Sequence, residues 1–208
     1  MTEKKLFVYV VDDDPSVLEA LERLLRSAGH EAKIFSSAFE FLDFNHPDAP
    51  GCLILDIKMP RLDGLELQDR LSEKGISLPI IFITGHGTVP SSVKAFKAGA
   101  MDFLQKPFKD KDLLDGVSRG IEKHRRLRQE QKEMKMLRDR LDTLTPRERE
   151  VFALVASGML NKQVAFDLGI SEKTIKIHRA RVMQKMAAQS LADLVRFAEK
   201  LGIRSPVA

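Results

Sequence analysis

"LFVYVVDDDPSVLEALERLLRSAG", residues 6–29, changes its period partway along. Residues 6–11 are an unbroken apolar run of Leu, Phe, Val and Tyr, which suits a strand covered on both faces. Pro15 to Ala28 then places Val17, Leu18, Leu21, Leu24 and Leu25 on one helical face. Between them stand Asp12, Asp13 and Asp14. Adjacent carboxylates repel one another, so this turn calls for a metal ion, a catalytic cluster or a helix cap. Asp14 precedes Pro15, a favoured first helical residue, and reads as the cap. Asp12 and Asp13 are left as a pair at the end of a strand.

The strand–turn–helix unit repeats. Further strand-like runs are EAKIF (31–35), CLILDI (52–57), PIIFIT (79–84) and MDFLQK (101–106), with helix-period stretches at 65–71, 89–98 and 112–120. Five βα repeats predict a parallel α/β sheet with helices on both faces. Ligands of such sheets lie at the carboxyl edge of the strands. The residues there are Asp12 and Asp13, Asp56, Thr84 and Lys106. The bland reading is surface acids tied to a lysine by salt bridges. The set itself favours more. Three carboxylates in one pocket cannot all ionise cheaply without a cation, and oxygen-only ligands suit Mg²⁺. Lys106 and Thr84 suit phosphate oxygens. Asp56 ends a central strand and is the candidate nucleophile, which would give an acyl phosphate.

Composition agrees with a folded chain that has no membrane span. Of the residues, 43% are hydrophobic and 31% charged, which is globular and not disordered. No run approaches spanning length, and residues 6–11 are too short for a signal peptide, so a soluble, cytoplasmic chain is expected. The single cysteine, Cys52, fits a reducing compartment and reads as a buried inert thiol. Charge is uneven: net −4 over 1–120, +3 over 121–143 and +5 over 144–208. That gradient suggests two domains, with any nucleic acid at the C-terminal one.

Residues 121–143 predict a long charged helix. Leu127, Met134 and Leu141 recur every seven, with Leu137 and Leu144 at the matching second position. This is either a partial coiled-coil seam interrupted by Glu130 or a single solvated linker helix. The tail reads as all helical. "LTPREREV" carries Thr145 as a cap, Pro146 at the first helical position and Glu148 three residues after the cap. "NKQVAFDLG" is a short helix ended by Gly169, and Ser171 caps the next. The second helix carries Lys173, Lys176, His178, Arg179, Arg181 and Lys185, the pattern of a helix-turn-helix.

These motifs carry a family resemblance. Asp12-Asp13, "LDIKMP" around Asp56, "ITGHG" with Thr84 and "KPF" with Lys106 make residues 6–123 resemble a receiver domain of two-component response regulators. "LTPREREV", "NKQVAFDLGIS" and "TIKIHR" make residues 144–201 resemble the LuxR-type helix-turn-helix. The order of the two is similar to the NarL/FixJ class, and "TGHG" leans to its FixJ-like branch. The resemblance implies a flavodoxin-like (βα)5 receiver over 1–122, a linker helix over 123–143 and a DNA-binding domain over 144–208. It implies that a histidine kinase phosphorylates Asp56. It implies Mg²⁺, with Mn²⁺ the alternative ion, held by Asp13, Asp56 and the backbone carbonyl of Lys58, Asp12 acting largely through water. Thr84 and Lys106 would bind the phosphate, Phe103 would swing inward, and Lys106-Pro107 would be cis. The segment Thr84 to Val89 would follow the phosphate, its Gly85 and Gly87 making it pliable. The face formed by the following helix and the last strand would form a homodimer.

On DNA, Lys176, Ile177 and Arg179 are expected at base edges. Thr174, Arg181 and Lys185 are expected at phosphates, and His178 at either or in packing. Ala180 stands where similar helices carry a second base-reading lysine, so no operator sequence carries over. Promoter DNA is the expected partner, with RNA polymerase a further one and no membrane. The regulator is not an enzyme beyond its own phosphotransfer and slow self-dephosphorylation. Two other readings compete. A haloacid-dehalogenase-like phosphohydrolase needs a second acid two residues after its nucleophile, and Lys58 stands there. A constitutive DNA-binding factor with a vestigial receiver would keep the pocket and lose its use.

Overall fold

The computed structural model describes residues 6–45, 49–85, 93 and 95–203. The chain divides into two compact units, residues 1–128 and 129–208.

The first unit holds β1 (Phe7–Val11), α1 (Pro15–Ser27), β2 (Glu31–Phe35), α2 (Ala38–Asp43), β3 (Gly51–Asp56), α3 (Gly64–Glu73), β4 (Ile80–Thr84) and β5 (Asp102–Gln105). The strands form one parallel sheet in the order β2-β1-β3-β4-β5. β1, β3 and β4 are buried along their full length, which is why their sequences are apolar without alternation. Their side chains still divide by pleat. Tyr9, Val11, Leu53, Leu55 and Phe82 face one core, while Val8, Val10, Ile54, Ile81 and Ile83 face the other. β5 is an edge strand and only half buried.

Register places the site. Val11 is level with Leu55, Asp56 with Ile83 and Thr84 with Gln105. The residues that end β1, β3, β4 and β5 therefore share one edge. α1 starts where expected: Asp14 accepts from the backbone N–H of Ser16, and Pro15 opens the helix. Leu18, Leu21 and Leu25 bury its apolar face. The segment from His86 to Pro90, with Gly87 and Val89, lies outside the described residues.

The helix expected over 112–120 and the one over 121–143 are a single element, α4 (Asp110–Asp142). Two glycines lie inside it, each costing about 1 kcal/mol against alanine in a helix interior. Packing explains Gly120: a Cβ there would lie 2.7 Å from Cys52 Sγ, so only glycine lets the helix seat on β3. Cys52 itself is fully buried, and burial pushes its thiol up to about 12, as an inert structural thiol requires.

The second unit continues with α5 (Pro146–Ala156), α6 (Asn161–Asp167), α7 (Glu172–Met186) and α8 (Leu191–Leu201). Its core joins Val151, Phe152, Val155, Val164, Ile175 and Met186. Leu137 and Leu144 are buried in that core, and Leu141 packs against it. This corrects the two readings of the heptad pattern over its last turns. Those leucines are neither a seam for a second helix nor solvated, because the unit's own helices cover them.

Candidate functional site

The sheet edge gathers the expected residues. Asp12 follows β1 and is 1% exposed; Asp56 ends β3 at 5% and Thr84 ends β4 at 1%. Two buried carboxylates on adjacent strands need a positive charge between them. Lys106, just past β5, supplies it. Its Nζ donates to Asp12 Oδ2 at 2.7 Å and to Asp56 Oδ1 at 2.9 Å. The lysine is placed by its own backbone, whose N–H donates to the Thr84 carbonyl at 2.8 Å. Lys106-Pro107 is cis. The Lys58 N–H donates to the other Asp56 oxygen at 2.6 Å.

Electrostatics at Asp56 are finely opposed. Burial holds its carboxyl above the usual range, and the Asp12 charge adds to this; Lys106 and the Lys58 N–H pull the other way without prevailing. Burial also works against the Lys106 charge, but its hydrogen bonds to Asp12 and Asp56 outweigh it and hold the ammonium above its ordinary value. The result is a poised carboxylate at a rim, with one face held by the chain and a lysine within reach of any group added to it.

The expected metal-binding trio is not gathered as a ready cage. Asp12 and Asp56 converge on Lys106 while Asp13 stands exposed beside them. Among the described residues no group of three or more His, Cys, Asp or Glu side chains is close enough to hold an ion. The donor chemistry nonetheless fits a hard dication. Asp12, Asp13 and Asp56 offer only oxygen, and the buried pair carries more negative charge than one lysine offsets. Phe103 is half buried against the sheet core, level with Phe82. α3 crowds the site from below: a Cβ on Gly64 would lie 2.3 Å from the Asp56 carbonyl oxygen.

In the second unit α6 and α7 form the helix-turn-helix, with Gly169 at φ 64° in the turn and Ser171 accepting from the Thr174 N–H. α7 buries Ile175, Val182 and Met186 and presents an outer stripe of Lys173, Lys176, Ile177, Ala180, Arg181 and Gln184. Lys176, Ile177 and Arg181, expected at DNA, are exposed on this face. Lys173 and Gln184 also lie on the stripe but were not singled out for DNA; the helical period of the buried residues could have found them. Thr174, His178 and Arg179 are half buried. The Thr174 hydroxyl pairs with that of Ser171 at 2.8 Å, and Arg179 Nη1 donates to Asn161 Oδ1 at 3.0 Å.

Lys185, expected at a phosphate, makes its contacts within its own unit. Its Nζ lies 2.6 Å from the buried Glu148 carboxylate and 3.0 Å from the Thr143 carbonyl. The ammonium is tied to these two groups, with the lysine side chain 34% exposed. Glu148 needs that partner because it is 2% exposed, although its second duty is to cap α5 through the Thr145 N–H.

Comparison with known proteins agrees with both halves. Residues 8–118 match the response regulator receiver domain, and residues 142–198 match the bacterial regulatory proteins of the luxR family. The chain is 50% identical over 199 residues to Nodulation protein W of Bradyrhizobium diazoefficiens, covering 96% of this chain and 88% of that one. It is 42% identical over 191 residues to Transcriptional regulatory protein FixJ of Rhizobium meliloti, covering 92% and 94%. Among solved structures it is similar to response regulator StyR, at 46% identity and a TM-score of 0.86, covering 94% of this chain and 99% of that one. It is also similar to full-length FixJ from B. japonicum, at 38% identity and a TM-score of 0.57, covering 97% and 98%.

Proposed function

This chain belongs to the response regulators that join a receiver domain to a luxR-type DNA-binding domain, and we propose that phosphorylation of its Asp56 controls how it binds promoter DNA. The observation that carries this is the Lys106 ammonium held between Asp12 and Asp56 at the buried sheet edge. It marks Asp56 as a carboxylate with a cation already in place for the charge it would gain.

An Asp56 oxygen forms a bond to phosphorus as the P–N bond of a kinase phosphohistidine breaks, its electron pair returning to the imidazole. Asp13, Asp56 and the Lys58 carbonyl would hold Mg²⁺, or Mn²⁺ in its place, with Asp12 acting largely through water, and the ion would offset charge on the transferring oxygens. The phosphoryl group adds about one to two negative charges. Lys106 exchanges its Asp56 contact for a phosphate oxygen, and the Thr84 hydroxyl donates to another. Phe103 turns inward from its half-buried place. These movements shift a two-state equilibrium and do not create a new fold. The shifted state dimerises, two α7 helices meet paired half-sites, and the dimer engages RNA polymerase. Slow self-dephosphorylation resets it, and the cytoplasm is where it acts.

The test is direct. Acetyl phosphate and Mg²⁺ should add one phosphoryl group by intact mass, raise the dimer fraction and tighten DNA binding. Asp56→Asn should abolish all three. Uptake by Asp56→Asn would displace the phosphoacceptor to another residue. Equal DNA binding with and without donor would favour the constitutive reading.

A further inference from the structure

A glutamine stands on the buried face of α3. Gln68 is only 6% exposed, with Leu71 buried one turn on. A leucine would pack there at no polar cost. The amide nitrogen has a reason to be there: Nε2 donates at 2.9 Å to the Ala98 carbonyl, in the turn before Gly99 at φ 92°. A carbonyl only accepts, so that contact fixes the orientation of the amide and turns Oε1 away from Ala98. Oε1 is buried and has no hydrogen-bond partner among the described residues. A buried acceptor left unpaired costs free energy that a matching donor recovers.

Gln68 lines a groove of about 240 Å³. Leu71 and Ile80 are its other buried lining residues, Ile76 is half buried, and Ser72 and Ser77 stand exposed at its rim. None of the described residues lining it is charged. Ile80 opens β4 level with Leu53, whereas Asp56 is level with Ile83, so the groove lies at the amino edge of the sheet, away from the phosphoacceptor rim. The space is many times the roughly 10–15 Å³ that one water needs, so a single water on Oε1 would leave the aliphatic wall wet.

We infer that this groove binds a small neutral molecule that gives an N–H to Gln68 Oε1 and sets a short aliphatic body against Leu71, Ile76 and Ile80. A charged ligand finds no counter-charge there, and a hydrocarbon leaves Oε1 unpaired. A primary carboxamide fits most fully, because its own oxygen accepts from a serine hydroxyl at the rim. The site does not rest on phosphorylation of Asp56.

The test is an NMR titration of the isotope-labelled full-length protein with isobutyramide, and with N,N-dimethylisobutyramide as the probe that lacks an N–H. Isobutyramide should shift the Gln68 side-chain amide and the Ser77 and Gly99 backbone amides to saturation. The dimethyl probe should bind about tenfold more weakly, the factor for one hydrogen bond to a buried acceptor. Ser77→Phe, a change at an exposed position, should fill the groove and abolish the saturable shifts with the rest of the spectrum intact. Gln68→Met, which keeps the length without the amide, should bind the two probes alike. The probe comparison on the unaltered protein needs no variant to fold. No saturable shift at these positions overturns the inference, as does equal affinity of the unaltered protein for both probes. Shifts that persist in Ser77→Phe place the amide elsewhere and overturn it too. A long-lived water on the Gln68 amide that isobutyramide does not displace, a structural water only, has the same consequence. No phosphodonor is used, so neither result bears on Asp56 as the phosphoacceptor.

Discussion

The ammonium of Lys185, near the end of α7, lies 2.6 Å from the carboxylate of Glu148 in the first turn of α5. The Glu148 side chain is only 3% exposed, and the lysine side chain 34%. Hydrogen bonding from Lys185 and then from the Thr145 N–H holds the Glu148 carboxyl below its usual range. Lys185→Ala should lower the stability of the second unit by about 1–2 kcal/mol, a charged hydrogen bond discounted for partial exposure. Urea unfolding measures this. The salt slope of DNA binding should be unchanged. An unaltered midpoint with a flatter slope would return Lys185 to the phosphate backbone.

The acids after β1 divide by role. Asp14 accepts from both the N–H and the hydroxyl of Ser16, which a serine cap can replace in part. Asp14→Ser should therefore leave phosphoryl uptake nearly intact, while Asp13→Ala should abolish it. Time courses with acetyl phosphate and Mg²⁺ distinguish them, and the reverse order would undo the division.

Burial raises the Asp56 carboxyl above its ordinary 3.8. Its contribution to stability is full below 3.8 and lost as pH rises through the folded value, so the ionised group costs stability at neutral pH. Asp56→Asn, which removes that charge, should raise the thermal midpoint at pH 7. A lower midpoint would mean that the Lys106 contacts outweigh the burial.

His124 points the opposite way. Its Nδ1 lies 2.9 Å from the Gly51 nitrogen and 3.0 Å from the Gly51 oxygen, in a buried position on α4. Burial lowers its pKa below 6.5, and its bond to Gly51 only partly opposes this. The stability it contributes is present above pH 6.5 and lost as pH falls through the folded value. The unfolding free energy of the unaltered protein should fall between pH 7 and pH 5 more steeply than that of His124→Gln. Parallel curves would show that the ring does not stay neutral.

Gly64→Ala would place a methyl 2.3 Å from the Asp56 carbonyl, so backbone must shift beside the phosphoacceptor. A cost of about 1–3 kcal/mol is expected, together with slower phosphoryl uptake. Normal uptake in a destabilised variant would confine the effect to folding.

Much of this architecture was legible beforehand. Continuous apolar runs at 6–11, 52–57 and 79–84 announced doubly covered strands, and Asp14-Pro15 and Thr145-Pro146 announced helix starts. The strand ends then named Asp12, Asp56, Thr84 and Lys106, because a parallel sheet brings such positions to one edge. Local pattern did less well where a residue had two uses. Gly120 reads as a helix boundary in sequence, and in the fold it is a point of close approach to Cys52.

The sequence by itself determined the elements, their order and which face of each is apolar, because periodicity and capping act within a few residues. Only the tertiary structure decided the partners. Lys106 reaches across 94 residues to Asp12, and Lys185 across 37 to Glu148. Leu137 and Leu144 joined the core of their own unit and not a helical seam. A charge or an apolar side chain has the same local signature whether it faces DNA, a second chain or its own fold. What distinguishes these cases is which distant element arrives to desolvate it, and that is set by packing.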